Sequence, residues 1–392
     1  MESGAQLIGR VNPAEGGVNG HATPSTYMAR ALALARRAIG QTSPNPMVGA
    51  VVVNGGRVVG EGYHRRAGLP HAEIEALRKA GAHTRGGTLY VTLEPCNHTG
   101  RTPPCCDAIL TSGISRVVVA AKDPNPITNG RGIARLRRAG VDVVTGVLER
   151  EAAALNAPFQ KAMTTGLPFA VAKVGQSLDG KIATARGESR WITSPASRRL
   201  AHRWRGRVDA ILVGVNTVLV DDPRLTARGM SRQRGRPVRV IVDSHLRIPL
   251  RARCLSSHSP TLIATTVSSG SKRARLARRG IEILTFPATR GRVPLRRLFR
   301  ELARRGIQSI LIEGGGEVLA SAVAERLVDR LVFFIAPILI GGRAAPGSFG
   351  GAGVSRLSRA IRLEELTCTR VGPDLCVEAR VVYPRRRAIS DT

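Results

Sequence analysis

Aromatic side chains are scarce in this chain of 392 residues: Phe, Trp and Tyr together make up 3%. Single-stranded nucleic acids are held largely by stacking on such rings, so their scarcity weighs against that class of partner. Acidic residues are few as well, 28 against 60 Lys and Arg, which leaves a net charge of +32. Nearly all of the positive residues are Arg, and they are spread along the chain. Dispersed Arg fits a biased composition and sites for phosphorylated ligands better than a specific nucleic-acid surface, although such a charge favours non-specific adhesion to polyanions. No apolar run reaches the ~20 residues that a membrane-spanning helix needs; the best, Leu331 to Ile340, is about half that length. The first two dozen residues carry Glu2 and Glu15 and lack a charged segment followed by an apolar one. They read as a disordered tail, not a secretion signal. Cysteines number only 6, and Cys96, Cys105 and Cys106 cluster beside Pro and His. That clustering points to a metal instead of disulfides, and with no signal segment it places the chain in a reducing cytoplasm.

What is present is ordinary globular patterning, with 43% hydrophobic residues and more length than one typical core requires. Two domains are expected: a tail over 1–24, a first domain over 25–166 and a second over 167–392, with the boundary at Gly166-Leu167-Pro168. In the first, Met28, Leu32, Ala35 and Ile39 share a helix face that Ser25 can cap. Met47 to Val53 and Arg57 to Gly62 form a hairpin turning at Asn54-Gly55. A short helix from His71 to Ala80, a strand from Thr88 to Leu93 and further alternating elements follow. A single connecting helix is expected from Glu149 to Thr165. A second strand–helix alternation begins at Phe169 and closes in a pair of strands around Gly372-Pro373-Asp374. Arg386 onward reads as frayed. Alternation of this kind gives α/β sandwiches.

The chemistry is concentrated in His71-Ala72-Glu73 and in Glu94-Pro95-Cys96, followed after eight residues by Cys105 and Cys106. One His, a Glu two residues on and two Cys in Pro-Cys contexts are the pattern of zinc-dependent nucleobase deaminases. One nitrogen and two thiolates hold zinc and leave a position open for water. The metal brings that water's pKa to around 7, and a carboxylate beside it moves protons to the ring and the leaving amine. Cys106 is a rival to Cys105, and His98 a rival to His71. A purely structural zinc site would gain nothing from the non-ligating Glu73. The runner-up enzyme is a nucleic-acid base deaminase with a fused accessory domain, favoured only by net charge; that class would be expected to show a compact PCxxC loop.

In the second half, Gly175 to Lys181 and Gly187 to Ser194 are polar, Gly-rich segments after a strand, as ligand sites at the carboxyl ends of strands often are. Glu313-Gly314-Gly315-Gly316 also follows an apolar strand and opens a helix, where backbone N–H groups can receive a phosphate. It is not a GxGxxG fingerprint, so a Rossmann dinucleotide domain is not indicated.

The runs His64 to Glu73, Thr92 to Cys106 and Asp123-Pro124-Asn125-Pro126 resemble the deaminase half of the bifunctional riboflavin-biosynthesis deaminase/reductases. So does Pro44-Asn45-Pro46-Met47-Val48-Gly49, similar to that family's pyrimidine-pocket segment. The segments of the second half, with Asp221 to Thr226, Val242-Asp243-Ser244 and Ala336-Pro337, resemble the reductase half, and the likeness covers roughly residues 25 to 385. It implies a cytidine-deaminase-like α/β/α sandwich followed by a dihydrofolate-reductase-like α/β domain. It implies Zn2+ on His71, Cys96 and Cys105, with Glu73 carrying protons. It implies NADPH contacts at Gly175, Trp191, Thr217, Asp221, Ser244, Gly315, Gly316, Glu317, Val318, Leu319, Ala320 and Ser321. Substrate contacts are implied at Ser189, Arg205, Leu225, Arg228 and Glu313. The implied reactions are deamination of 2,5-diamino-6-ribosylamino-4(3H)-pyrimidinone 5′-phosphate and NADPH-dependent reduction of its ribosyl group. The expected partner is thus a small phosphorylated pyrimidine, with no membrane and no specific nucleic acid; a homo-oligomer is left open.

Overall fold

The computed structural model describes residues 23–99, 103–228, 236–256 and 259–384. Of the expected tail over 1–24, residues 1–22 lie outside the described residues, as does the segment from Arg386, whereas Thr23 and Pro24 belong to the start of the first helix and not to a tail. The chain divides into two compact units between Thr165 and Gly166.

The first unit holds helices α1 (Pro24–Arg36), α2 (Ala72–Ala80), α3 (Cys105–Thr111), α4 (Arg131–Arg138), α5 (Glu149–Leu155) and α6 (Ala157–Thr165). Its strands are β1 (Gly49–Asn54), β2 (Arg57–Tyr63), β3 (Thr88–Leu93), β4 (Arg116–Ala121) and β5 (Asp142–Thr145), in the order β2-β1-β3-β4-β5. The β1–β2 and β1–β3 pairs are antiparallel, and β3–β4 and β4–β5 parallel. Strand side chains alternate between the faces of a sheet. Ala50, Val52, Leu89, Val91, Val117 and Val119 therefore join the layer under α2, α3 and α4. Val51, Val53, Tyr90 and Val118 join the layer under α1, α5 and α6. The result is an α/β/α sandwich. Helix α2 packs directly on β2: a Cβ at Gly62 would lie 2.3 Å from Ala72 O, so only glycine lets α2 approach so closely.

Two local expectations are corrected. Thr23, not Ser25, caps α1, its hydroxyl accepting from Thr26 N at 3.3 Å. The single helix over 149–165 is two helices, broken at Asn156. The amide of Asn156 binds the backbone of Met47, Oδ1 accepting from Met47 N at 2.8 Å and Nδ2 donating to Met47 O at 2.9 Å. Pro158 also suits a first turn, where its missing N–H is no loss.

The second unit has one nine-stranded sheet. Its strands are β6 (Phe169–Ser177), β7 (Ala210–Gly214), β8 (Val238–Val242), β9 (Thr261–Thr265), β10 (Glu282–Thr285), β11 (Ser309–Glu313), β12 (Arg330–Ala336), β13 (Arg362–Val371) and β14 (Asp374–Val382). The order is β10-β9-β8-β7-β11-β6-β12-β14-β13, a parallel block from β10 to β12 with β14 antiparallel to β12 and β13 antiparallel to β14. Helices α7 (Pro195–Arg205), α8 (Val215–Asp221), α9 (Ser271–Arg278), α10 (Leu295–Arg304) and α11 (Gly316–Ala324) connect them. Core strands such as Ala210–Gly214 are buried throughout, as parallel strands covered on both faces are. Helix α8 was not expected from the sequence; it is a seven-residue helix burying Val215 and Val218. Among the described residues no helix is long and apolar enough to cross a membrane.

Candidate active sites

In the first unit the start of α2 faces the start of α3. His71 is the residue before α2, extended at ψ 164°, and makes no side-chain capping bond, so its imidazole is free to turn to the site. Cys105 opens α3, and Cys96 lies in the loop that β3 runs into. His71 Nδ1 is 3.2 Å from Cys105 Sγ and 3.6 Å from Cys96 Sγ. All three donor atoms lie within 4.8 Å of one another. The Cys105 backbone N–H also donates to Cys96 Sγ at 3.3 Å.

Protons in this cluster are shared unequally. A hydrogen bond from Cys105 holds the Cys96 thiol down at about 4. The same bond, with burial, raises Cys105, which keeps its proton. The hydrogen bond to Cys96 also raises His71. Glu73 is buried in the first turn of α2, and burial pushes its carboxyl up to about 7, with the neighbouring His71 charge opposing.

The rival donors stand apart. Cys106 Sγ points to Pro95 O at 3.6 Å and Gly132 O at 3.8 Å, within the apolar layer, and burial raises it to about 12. His98 Nδ1 lies 3.5 Å from Thr128 Oγ1, outside the trio. Residues 100–102 of the Cys-to-Cys loop lie outside the described residues.

Sequence reasoning gave no role to Glu94, although it shares a triplet with Cys96. Its buried carboxylate accepts from the backbone N–H of Asp123 (3.2 Å), Gly130 (2.9 Å), Gly132 (3.0 Å) and Ile133 (3.2 Å). It therefore ties the cysteine loop to the Asp123–Gly130 segment and caps α4. Buried His64 was likewise passed over; burial lowers its pKa, and its ring sits edge-on to His71 with centroids 5.3 Å apart.

The second unit carries a cleft of about 1250 Å3 near the carboxyl ends of β6, β7 and β11. Gly175, Ser189, Trp191, Arg205, Thr217, Asp221, Leu225, Arg228, Glu313, Gly315 and Leu319 line it. Glu313 ends β11, paired in register with Lys173 of β6. Arg205 grips Glu313 with two bonds, Nε to Oε1 at 2.8 Å and Nη2 to Oε2 at 2.6 Å, and its Nη1 donates to Thr226 O at 3.1 Å. Lys173 Nζ lies 3.7 Å from Glu313 Oε2. Burial works to raise the Glu313 carboxyl, but Arg205 and Lys173 outweigh it and hold it at about 2. The Ser189 hydroxyl donates to Asp221 Oδ1 at 2.9 Å. Trp191 is 69% exposed, with the Arg198 guanidinium 4.4 Å from its ring centre.

Gly314 and Gly315 have φ of 72° and 80°, in the left-handed region, and a Cβ on them would lie 3.1 and 3.4 Å from Thr217 Oγ1. The turn is a bare backbone cradle at the start of α11. Gly316, Glu317, Val318, Ala320 and Ser321 do not line the cleft. Glu317 is ion-paired to Arg292 at 3.1 Å, and Val318 packs against the core. Ser244 also lies off the lining; its hydroxyl accepts from Val293 N at 3.1 Å, tying two loops together. The sequence missed Lys173, hidden in a strand pattern, and His202, whose Nδ1 shares Thr226 O at 3.0 Å.

A His/Cys/Cys trio beside a buried Glu suits zinc, and an open cleft with a glycine cradle suits a dinucleotide phosphate. Fold and sites together define a zinc-dependent deaminase joined to a nicotinamide-dependent reductase. The comparisons agree on both halves. Residues 22–121 match the cytidine and deoxycytidylate deaminase zinc-binding region, and residues 168–377 match the RibD C-terminal domain. Over 351 residues the chain is 44% identical to the riboflavin biosynthesis protein RibD of Aquifex aeolicus, covering 90% of this chain and 96% of that one. The Acinetobacter baumannii RibD structure superposes with a TM-score of 0.84 at 37% identity, covering 92% of this chain and 99% of that one. A Thermotoga maritima structure, a diaminohydroxyphosphoribosylaminopyrimidine deaminase/5-amino-6-(5-phosphoribosylamino)uracil reductase, gives 0.81 at 35% identity with the same coverage. The chain belongs to the RibD family of riboflavin biosynthesis proteins. It is a bifunctional deaminase and reductase acting on a small phosphorylated pyrimidine, with zinc and NADPH as cofactors.

Proposed function

We propose that the first unit converts 2,5-diamino-6-ribosylamino-4(3H)-pyrimidinone 5′-phosphate to the corresponding uracil with release of ammonia. The second unit then reduces the ribosyl group to give 5-amino-6-(5-phosphoribitylamino)uracil. His71, Cys96 and Cys105 are the residues to hold zinc, which when bound supplies the Lewis acidity that activates water near neutral pH. Cys105 surrenders its proton as metal binds. Glu73 is the proton carrier. A carboxyl pushed up to about 7 exchanges protons readily at neutral pH, as general acid–base catalysis requires. It can take a proton from the attacking water and return one to the departing amine. The single observation behind this reading is the trio of donor atoms within 4.8 Å, with buried Glu73 beside it.

For the second reaction, NADPH when bound supplies a hydride. Its contacts are assigned to Gly175, Trp191, Thr217, Asp221, Ser244 and the turn from Gly315 to Ser321. Substrate is assigned to Ser189, Arg205, Leu225, Arg228 and Glu313. Arg205 commits one N–H from each of its three nitrogens to Glu313 and Thr226, so it stands as a fixed charged wall with the remaining N–H groups of Nη1 and Nη2 left for substrate. Phosphate attraction falls to cleft arginines such as Arg224 and Arg228. The setting is cytoplasmic, and no specific nucleic-acid partner is needed. The test follows ammonia release and ultraviolet absorbance with the pyrimidine phosphate, with and without NADPH, beside an oligonucleotide control. Ammonia from the oligonucleotide and none from the pyrimidine phosphate would overturn the reading.

A further inference from the structure

His202 lies on α7 one helical turn before Arg205, is half-buried, and lines the cleft of the second unit. Its Nδ1 is 3.0 Å from Thr226 O, the carbonyl that also accepts from Arg205 Nη1 at 3.1 Å. A carbonyl only accepts, so Nδ1 carries the ring proton and Nε2 presents a lone pair. The same contact fixes the ring's orientation, since a flipped ring would turn a carbon to Thr226 O. Burial lowers the pKa of His202, and the charges of Arg205 and Arg228 lower it further, so the ring is neutral at neutral pH. Nε2 has no protein partner among the described residues. Around it, Arg205, Arg224 and Arg228 line the cleft and offer donors only. The carboxylates of the cleft are already engaged. Glu313 is held by Arg205 and Lys173, Asp221 by the Ser189 hydroxyl, and Asp222 by the backbone N–H of Arg253 at 2.7 Å. A sugar phosphate brings two kinds of group to such a place. Its phosphate oxygens accept and suit the arginines, whereas each hydroxyl has a proton to give and loses free energy if it finds no acceptor.

We propose that His202 is a further substrate-binding residue of the reductase: its Nε2 accepts a hydrogen bond from the C2′ or C3′ hydroxyl of the ribosyl group. The proposal rests on the reductase reading above and on the assignment of the neighbouring Arg205, Arg228 and Glu313 to substrate. Thr226 O sets the tautomer, and through it the ring selects a hydroxylated sugar over a deoxy one.

The two nitrogens can be tested separately. His202→Asn places an amide nitrogen where Nδ1 stands, keeps the Thr226 bond and removes the acceptor. His202→Gln carries an amide oxygen to the position of Nε2 and gives up the Thr226 bond, which Arg205 continues to make. NADPH oxidation is followed with the deaminated pyrimidine phosphate and with its 2′-deoxy and 3′-deoxy analogues. His202→Asn is expected to raise KM for the natural intermediate roughly three- to tenfold, the scale of one hydrogen bond, and to leave KM for NADPH where it was. His202→Gln is expected to restore the parent KM. The parent should bind one of the two analogues more weakly by the same factor, and with that analogue His202→Asn and the parent should have equal KM, since both changes remove one interaction. Parent KM in His202→Asn overturns the proposal. So does an equal rise in His202→Asn and His202→Gln, a penalty that persists in full with both analogues, or a rise in KM for NADPH alone. Tryptophan emission in urea checks that the second unit stays folded. If His202→Asn does not fold, the analogues decide on the parent: KM values for both equal to that of the natural intermediate overturn the proposal. Failure of the unmodified chain to oxidise NADPH with the natural intermediate is a different result, and it sinks the reductase reading itself.

Discussion

Replacing Glu73 by Gln separates what the buried carboxylate does for chemistry from what it costs the fold. In the metal-free unit an unfolded Glu73 loses its proton near 4.5, and the folded one keeps it to about 7. Between those values the folded form binds more protons, so stability falls as pH rises. Above pH 7 the gap amounts to roughly 3 kcal/mol. An amide carries no such charge. Metal-free Glu73→Gln is therefore expected to exceed the metal-free parent by roughly 3 kcal/mol at pH 8 and to match it at pH 4. The same variant keeps zinc, because Glu73 is not one of the three donors. It loses deamination by ~10²–10⁴ in kcat, because the near-isosteric amide cannot shuttle a proton. Ammonia release is measured on the zinc-loaded variant, and urea melts on chelator-treated samples at both pH values. Both tryptophans, Trp191 and Trp204, lie in the second unit, whereas Tyr27, Tyr63 and Tyr90 lie in the first. Three of the four tyrosines thus report the unit that carries the change, the fourth, Tyr383, lying in the second unit, and tryptophan is the internal control. Parent-level ammonia release would refute the role of Glu73. Equal metal-free stability at pH 8 would refute the claim that burial strains its charge.

Cys105→Ser should abolish zinc binding and Cys106→Ser should spare it, because the Cys106 thiol faces Pro95 O and Gly132 O; metal analysis of both variants decides, and the reverse order would move the third ligand. Gly315→Leu forces a side chain into a φ of 80° and into the cradle beside Thr217, so NADPH oxidation should vanish while ammonia release persists. That pair of rates is read in one preparation supplied with the deaminated intermediate, and surviving NADPH oxidation would displace the cofactor from this turn. Arg205→Met leaves Glu313 buried with only Lys173 opposite and should destabilise the second unit by about 3–5 kcal/mol, read by tryptophan emission in urea. In the parent the depressed Glu313 contributes stability that is fully present above 4.5 and is lost as pH falls toward 2. Arg205→Met should flatten that acid limb.

Patterns local in sequence were legible. The hairpin signal marked the β1–β2 turn one residue early, since Asn54 still pairs with Arg57 and the turn residues are Gly55 and Gly56, and His71, Glu73, Cys96 and Cys105 stood out by spacing because helix starts and a strand end hold them. Glu313-Gly314-Gly315-Gly316 read correctly as a strand running into a helix. What escaped depends on partners far along the chain. The break at Asn156 arises from Met47, 109 residues earlier, and nothing in the 149–165 pattern signals it. Glu94 looked like part of a motif until its carboxylate met the amides of Gly130, Gly132 and Ile133. Lys173 was one residue of an apolar strand until β11 set Glu313 beside it. His202 needed the carbonyl of Thr226 in place before its ring had a task.

The two sheets share no strand among the described residues: β1 to β5 form one and β6 to β14 the other. The His71, Cys96 and Cys105 trio belongs wholly to the unit of the first sheet, and the cleft proposed for NADPH wholly to the unit of the second. Nutrient shortages would consequently halt the chain at different points. A cell starved of zinc would still make a competent reductase and would accumulate the aminated pyrimidine. A cell short of reducing power would release ammonia normally and stall with an unreduced sugar. The ratio of those two pools in a cell extract would report which supply had failed.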